Sequence, residues 1–168
     1  MKIDDFLDQK EFDELQTLMM SSNFAWFYND GIDYKNEITD KFQFTHIFYR
    51  HDSPHSELHV QLKFILEKLN PISIYQIKAN LLTKTPNIIE NTFHSDLENI
   101  LPEEKQKQWT TSIFYVNTNN GYTKFEDGTK VESIANRMIT FPTNMKHTGT
   151  SCTDENTRVV INFNYFKR

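Results

Sequence analysis

The sequence predicts a mainly β chain, a jelly-roll sandwich with helices packed on one sheet, and three observations carry that prediction. The first 71 residues contain two stretches with apolar side chains at helical spacing. From Ile72 onward the pattern changes to short runs rich in β-branched and aromatic residues, separated by turn signals. Aromatic residues make up 14% of the chain, with 14 Phe, which suits a β core of large flat side chains. Many short antiparallel strands after two helices stack most simply as two sheets with the helices on one of them.

The elements follow in order. Asp8 to Met20 places Phe12, Leu15, Leu18 and Met19 on one helical face. Phe24 to Tyr28 reads as a strand, and Asn29-Asp30-Gly31 as a turn. Phe42 to Tyr49 reads as a further strand. A second helix is expected from Ser53 as N-cap with Pro54 in its first turn. Its apolar face is Leu58, Leu62, Ile65 and Leu69, and Asn70-Pro71 stops it. Strands are then expected over Ile72 to Leu82, Asn91 to Asp96 and Thr110 to Asn117. Tyr122 to Glu126 and Thr129 to Ser133 form a hairpin around Asp127-Gly128, because this dipeptide tolerates the positive φ of a tight turn. Arg137 to Phe141 and Arg158 to Phe166 complete the set.

A length of 168 residues suits one domain. It divides into a helical support region, 1–71, and a β core, 72–168. The formal net charge of -5, with no basic run, disfavours nucleic acid as a partner. A single cysteine, Cys152, excludes an internal disulfide and fits a reducing, cytoplasmic setting. The acidic N-terminus is unlike a signal peptide, and no apolar run approaches a membrane span. Composition says nothing about oligomeric state.

The chemistry concentrates in Phe93-His94-Ser95-Asp96. Two residues apart on a strand, His94 and Asp96 would point to one side and offer an imidazole and a carboxylate to one ion. His147, far downstream, can return beside them across an antiparallel barrel. Two His and one carboxylate on one face form the ligand set of non-haem Fe(II) oxygenases, which leaves further coordination positions open. Arg158, on the next strand, is placed to bind a carboxylate through two parallel hydrogen bonds. Strand parity puts Arg158, Val160, Asn162 and Asn164 on one face, either lining a wet cavity or facing solvent.

Each feature also has a plain reading. His-x-Asp recurs by chance, Arg158 could form a surface ion pair, and a strand tyrosine such as Tyr115 is often a core residue. His51, His55 and His59 recur every fourth residue but lack a His-Glu-x-x-His pattern, so a solvated helix face accounts for them. Cys152 sits in a polar loop without a basic neighbour in sequence and reads as non-catalytic.

The order His94-x-Asp96, His147, Arg158 resembles the 2-oxoglutarate and Fe(II)-dependent dioxygenases, in their prolyl 4-hydroxylase-like branch. The resemblance spans Ile72 to Phe166. It includes Ile-Phe-Tyr-Val-Asn at 113–117 and the final strand with Arg158, Ile161, Tyr165 and Phe166. It implies a double-stranded β-helix, and iron held by His94, Asp96 and His147. It also implies 2-oxoglutarate held at its distal carboxylate by Arg158 and Tyr115, with Asn80 nearby. The implied reaction consumes O2, releases succinate and CO2, and hydroxylates a C–H bond. Asp96 argues against halogenation, because members that halogenate lack this carboxylate. A prolyl residue in a peptide is the branch's usual substrate, and small molecules are the other class. The spacing from His147 to Arg158 is longer than is commonest in the branch. The alternative expectation is a cupin-like jelly-roll metal-binding module without oxygenase activity, and Arg158 discriminates between the two.

Overall fold

The computed structural model describes residues 1–32, 41–98 and 100–167. In chain order the elements are β1 (Lys2–Ile3), α1 (Gln9–Met19), β2 (Phe27–Asn29), β3 (Gln43–Arg50) and β4 (Ser53–Pro54). A 3-10 segment (Glu57–Leu62) runs into α2 (Lys63–Leu69), followed by β5 (Ser73–Thr83) and α3 (Glu103–Gln106). The rest is β6 (Trp109–Tyr115), β7 (Tyr122–Phe125), β8 (Lys130–Glu132), β9 (Arg137–Pro142), β10 (His147–Gly149) and β11 (Thr157–Phe166).

The large sheet has the order β1-β9-β6-β11-β5-β3-β2, with β4 paired to β3, and every pairing is antiparallel. The small sheet is β10-β7-β8. Two isolated bridges, Glu90 to Thr150 and His94 to His147, attach the segment before α3 to its β10 edge. The jelly-roll expectation holds: two antiparallel sheets, with helices on the outer face of the large one.

Parity explains the layering. On β11, Val159, Ile161, Phe163 and Tyr165 join Ile77, Ala79 and Phe114 in a core with Phe12, Leu15 and Met19 of α1 and Ile65 and Leu69 of α2. A smaller cluster, Ile113, Tyr115, Phe125, Ile139, Phe141 and Val160, lies between the sheets. The N-terminal segment is tied to the sheet edge: Arg137 donates from Nε and Nη2 to the Asp4 carboxylate, and Asn136 exchanges hydrogen bonds with the Leu7 backbone.

Three local expectations change. The first strand is Phe27–Asn29 rather than Phe24 to Tyr28, because Phe24 turns into the helical core. Ser53 and Pro54 pair with β3 instead of opening a helix. His51 and Asp52, both at positive φ, close that hairpin, and Ser56 is the cap, its Oγ accepting from Leu58 N at 3.2 Å. Residues 91–96 form one bridge, at His94, and the start of a turn rather than a regular strand, with Asn91 N also donating to Gly149 O at 3.2 Å. The loop from Leu97 to Trp109 contains the short α3. Asn70-Pro71 stops α2 as expected, and Asn70 caps it in the left-handed conformation. Among the described residues no helix is long and apolar enough to cross a membrane.

Candidate metal centre and its cavity

His94 and His147 face each other as a backbone pair: His94 N donates to His147 O at 3.0 Å, and His147 N to His94 O at 2.9 Å. Each imidazole is oriented by its own neighbourhood. His94 Nδ1 lies 3.1 Å from Thr92 O, and His147 Nδ1 lies 3.1 Å from Met145 O. A carbonyl can only accept, so each Nδ1 carries the proton and each Nε2 presents a lone pair. Both Nε2 atoms aim at one oxygen: Asp96 Oδ1 lies 3.7 Å from that of His94 and 3.6 Å from that of His147. These gaps exceed a hydrogen bond. The three ligand atoms lie within 4.8 Å of one another, and this is the one such His/Cys/Asp/Glu group among the described residues.

Asp96 divides its two oxygens. Oδ2 accepts from Asn164 Nδ2 at 2.7 Å and from Thr111 Oγ1 at 3.0 Å, which leaves Oδ1 for the site. Burial alone would raise this carboxyl. The His147 and His94 imidazoles and the two hydrogen bonds outweigh it and hold the group below the usual carboxylate range. Burial pushes the His147 imidazole down, against the pull of Asp96, so its neutral, ligating form is favoured. Phe141 packs edge-on against the His147 ring with centroids 4.9 Å apart. The donor set therefore fits a divalent ion: two neutral imidazole nitrogens and one free carboxylate oxygen, each fixed by a further hydrogen bond.

The cavity that opens from this cluster runs across the inner face of the large sheet. Arg158, Val160, Asn162 and Asn164 of β11 line it, and so do Gln76, Lys78, Asn80 and Leu82 of β5. Parity along β11 thus selects the cavity over solvent. At one end Arg158 is 3% exposed. Its Nε donates to Ser133 Oγ at 2.8 Å and its Nη2 to Thr123 Oγ1 at 3.2 Å, while the guanidinium sits 5.7 Å from the Tyr115 ring centroid. Among the described residues it has no carboxylate partner and no acceptor for Nη1. Burial lowers its pKa, yet a guanidinium stays charged, so an uncompensated cation is held in a desolvated place. Gly121 makes room for it, since a Cβ there would lie 2.7 Å from Arg158 Cδ.

Of the six residues singled out from sequence, His94, Asp96, His147, Arg158 and Asn80 line this one cavity. Tyr115 does not. It is fully buried behind Thr123, and its hydroxyl donates to Thr123 Oγ1 at 2.7 Å. Sequence reasoning missed Thr111, Thr123 and Ser133, whose hydroxyls hold Asp96 and Arg158, because Ser and Thr on strands carry no distinguishing signal. Asn164 was within reach through its parity with Arg158. The other histidines stand apart: His46 is buried, with Nδ1 2.8 Å from Ala25 O and Nε2 2.9 Å from Ser56 Oγ, while His51 and His55 are exposed. Cys152 is buried, its Sγ donating to Glu155 O at 3.3 Å, and burial pushes its thiol up.

Neither a family model nor a curated protein sequence matches the chain. Solved structures do. A prolyl hydroxylase from Trichoplax adhaerens, in complex with a hypoxia inducible factor peptide fragment, superposes with a TM-score of 0.70 at 13% identity, over 99% of this chain and 82% of that one. A 2OG-Fe(II) oxygenase family oxidoreductase from Burkholderia pseudomallei gives 0.65 at 12% identity, over 96% and 81%. HygX from Streptomyces hygroscopicus, with nickel and 2-oxoglutarate bound, gives 0.63 at 9% identity, over 99% and 82%. At these identities the likeness is one of fold, and it makes the two-sheet core a double-stranded β-helix of the kind these oxygenases share.

Proposed function

We propose that the chain is an Fe(II)- and 2-oxoglutarate-dependent dioxygenase that hydroxylates a C–H bond of a peptide or small-molecule substrate. The observation that carries this is the pairing of the His94–Asp96–His147 cluster with a buried, carboxylate-free Arg158 in one cavity. A bare metal-binding module has no use for such an arginine. A cosubstrate with a carboxylate at its far end does, because it supplies the missing counter-charge.

When bound, ferrous iron and 2-oxoglutarate together supply the oxidation, O2 being consumed and the cosubstrate leaving as succinate and CO2. The protein supplies the rest. Thr92 O and Met145 O hold the imidazoles in the ligating tautomer. Asn164 and Thr111 fix Asp96 so that one oxygen faces the ion. Arg158 Nη1, without an acceptor among the described residues, and Thr123 would receive the distal carboxylate, while Tyr115 acts through Thr123 as a positioning residue. Asn80, on the neighbouring strand opposite Val160, borders the same space. Val160 and Ile113 give that part of the wall an apolar surface that excludes water. The single cysteine and the need to keep iron ferrous fit a cytoplasmic setting.

The test is anaerobic titration with Fe(II) and then 2-oxoglutarate, followed by the weak visible metal-to-ligand charge-transfer band. The band is expected only with both, and His94→Ala should remove it together with iron binding. Arg158→Met should keep iron but weaken 2-oxoglutarate about 30- to 150-fold, the equivalent of about 2–3 kcal/mol for a charge-assisted pair. Unchanged cosubstrate affinity in Arg158→Met would sink the proposal.

A further inference from the structure

Arg158 is not the only cation facing the cavity. Lys78, on β5, points to the same side as Gln76 and Asn80 and is half-buried. Among the described residues it makes no ion pair. Its cross-strand neighbour on β11 is Asn162, and Asn162 Oδ1 is the one buried side-chain polar atom without a hydrogen-bond partner among the described residues. An unpaired cation and an unpaired acceptor therefore stand side by side in the cavity wall. Gln76 flanks them on β5 and also lines the cavity.

Along β11 Asn162 lies between Arg158 and Asn164, and Lys78 and Gln76 face Asn162 and Asn164 from β5. The metal cluster rests on Thr111 of β6 and Asn164 of β11, and Arg158 rests against Thr123 of β7. Lys78 and Gln76 sit one strand further out, on β5, about 4.8 Å across the sheet.

Charge accounting points the same way and rests on the proposed function. A divalent ion with Asp96 would carry one net positive charge and Arg158 a second, and a doubly charged cosubstrate balances both. Among the described cavity-lining side chains Lys78 is then the one formal charge left uncompensated. A half-buried cation without a partner on the wall of a cavity is placed to receive an anion, so the ligand that completes this cavity brings a negative group. Asn162 Oδ1 asks for an N–H beside it.

We infer that the substrate is recognised through a carboxylate on Lys78 and an adjacent N–H on Asn162, the end group of a free amino acid or of a peptide's last residue. A prolyl residue inside a peptide, with both neighbours amide-linked, offers no such charge.

The test uses the protein loaded with Mn(II) and 2-oxoglutarate and reads paramagnetic broadening of ligand protons, which needs no turnover. The probes are the proteinogenic L-amino acids and Gly-Gly-X tripeptides, each as free acid and as primary amide. At least one acid should bind about tenfold or more tightly than its amide, the worth of one charge-assisted hydrogen bond. Lys78→Met should bring that ratio close to one, and Lys78→Arg should retain most of it. Both variants should keep 2-oxoglutarate affinity within roughly twofold of the parent. Preference for free amino acids or for tripeptides tells which source supplies the end group. Amides that bind as well as acids, or no acid that binds at all, overturn the inference. So does a loss of 2-oxoglutarate affinity in Lys78→Met, which would make Lys78 a cosubstrate contact. A parent protein that binds no 2-oxoglutarate fails one step earlier, at the proposed function.

Discussion

The two faces of the large sheet carry opposite chemistry on the same strands. Along β11, Val159, Ile161, Phe163 and Tyr165 are shut against the helices, while Arg158, Asn162 and Asn164 look into the cavity. On β5, Ile77 and Ala79 alternate with Gln76, Lys78 and Asn80 in the same way. The helix face is apolar and closely filled, so its burial stabilises the fold. Among the described residues the cavity face holds a buried guanidinium without a carboxylate, a half-buried ammonium without an ion pair and an orphan amide oxygen, and the first and last of these cost stability. One side of each strand specifies the fold, and the other reserves space for ligands.

The contrast breaks most visibly at Phe114, which is fully buried with its ring edge-on to Phe6 and Phe12 at 6.2 Å. Phe114→Ala should lower unfolding stability by about 3–5 kcal/mol in urea titration. The molecules that remain folded should still bind metal normally. A loss below about 1 kcal/mol would mean that the helices do not depend on this face.

The next effect should come from the cavity side and leave stability nearly untouched. Asn164→Ala removes the donor on Asp96 Oδ2, and metal affinity should fall about 10- to 100-fold in a competition titration. If affinity held while the melting temperature collapsed, Asn164 would belong to the fold rather than to the site.

The smallest effect lies at the edge both faces share. Arg137 donates to Asp4 and, against a smaller opposing effect of burial, holds that carboxyl below its ordinary value of 3.8. A depressed folded pKa means that the contribution is present above the ordinary value and is lost as pH falls through the folded one. Asp4 is half exposed, so the contribution is about 0–1 kcal/mol. Asp4→Asn should therefore lower the melting temperature slightly at neutral pH and converge with the parent once pH has fallen through the depressed folded pKa. Parallel curves across the whole range would count against it.

Much of this was legible in the sequence because period-two patterns survive in strands that are buried on one face by helices. Arg158, Asn162 and Asn164 stand out against Val159, Ile161 and Phe163 without any coordinates. His94 and Asp96 were found on an argument of strand parity, although residues 91–96 are a bridged turn. The two backbone hydrogen bonds to His147, not a regular strand, aim them. What stayed hidden depends on distant pairing. Nothing near Thr123 or Ser133 announces that their hydroxyls hold a guanidinium 35 and 25 residues away in sequence. Ser53-Pro54 looked like a helix start because the two positive φ angles at His51 and Asp52, neither of them Gly, carry no clear sequence mark.

The position of β11 has one more consequence, for the chain as it is made. It is the last of the described strands to leave the ribosome, yet it lies in the middle of the large sheet, between β6 and β5. Until it inserts, β5 and β6 each expose an unpaired edge with apolar side chains, the kind of surface on which nascent chains aggregate. Arg158 and Asn164 arrive on that same strand, so the candidate metal cluster lacks the support of Asn164 until the sheet closes. A ribosome stalled shortly before Thr157 would hold a sticky half-sandwich with no working centre, and a holding chaperone would matter most in that interval.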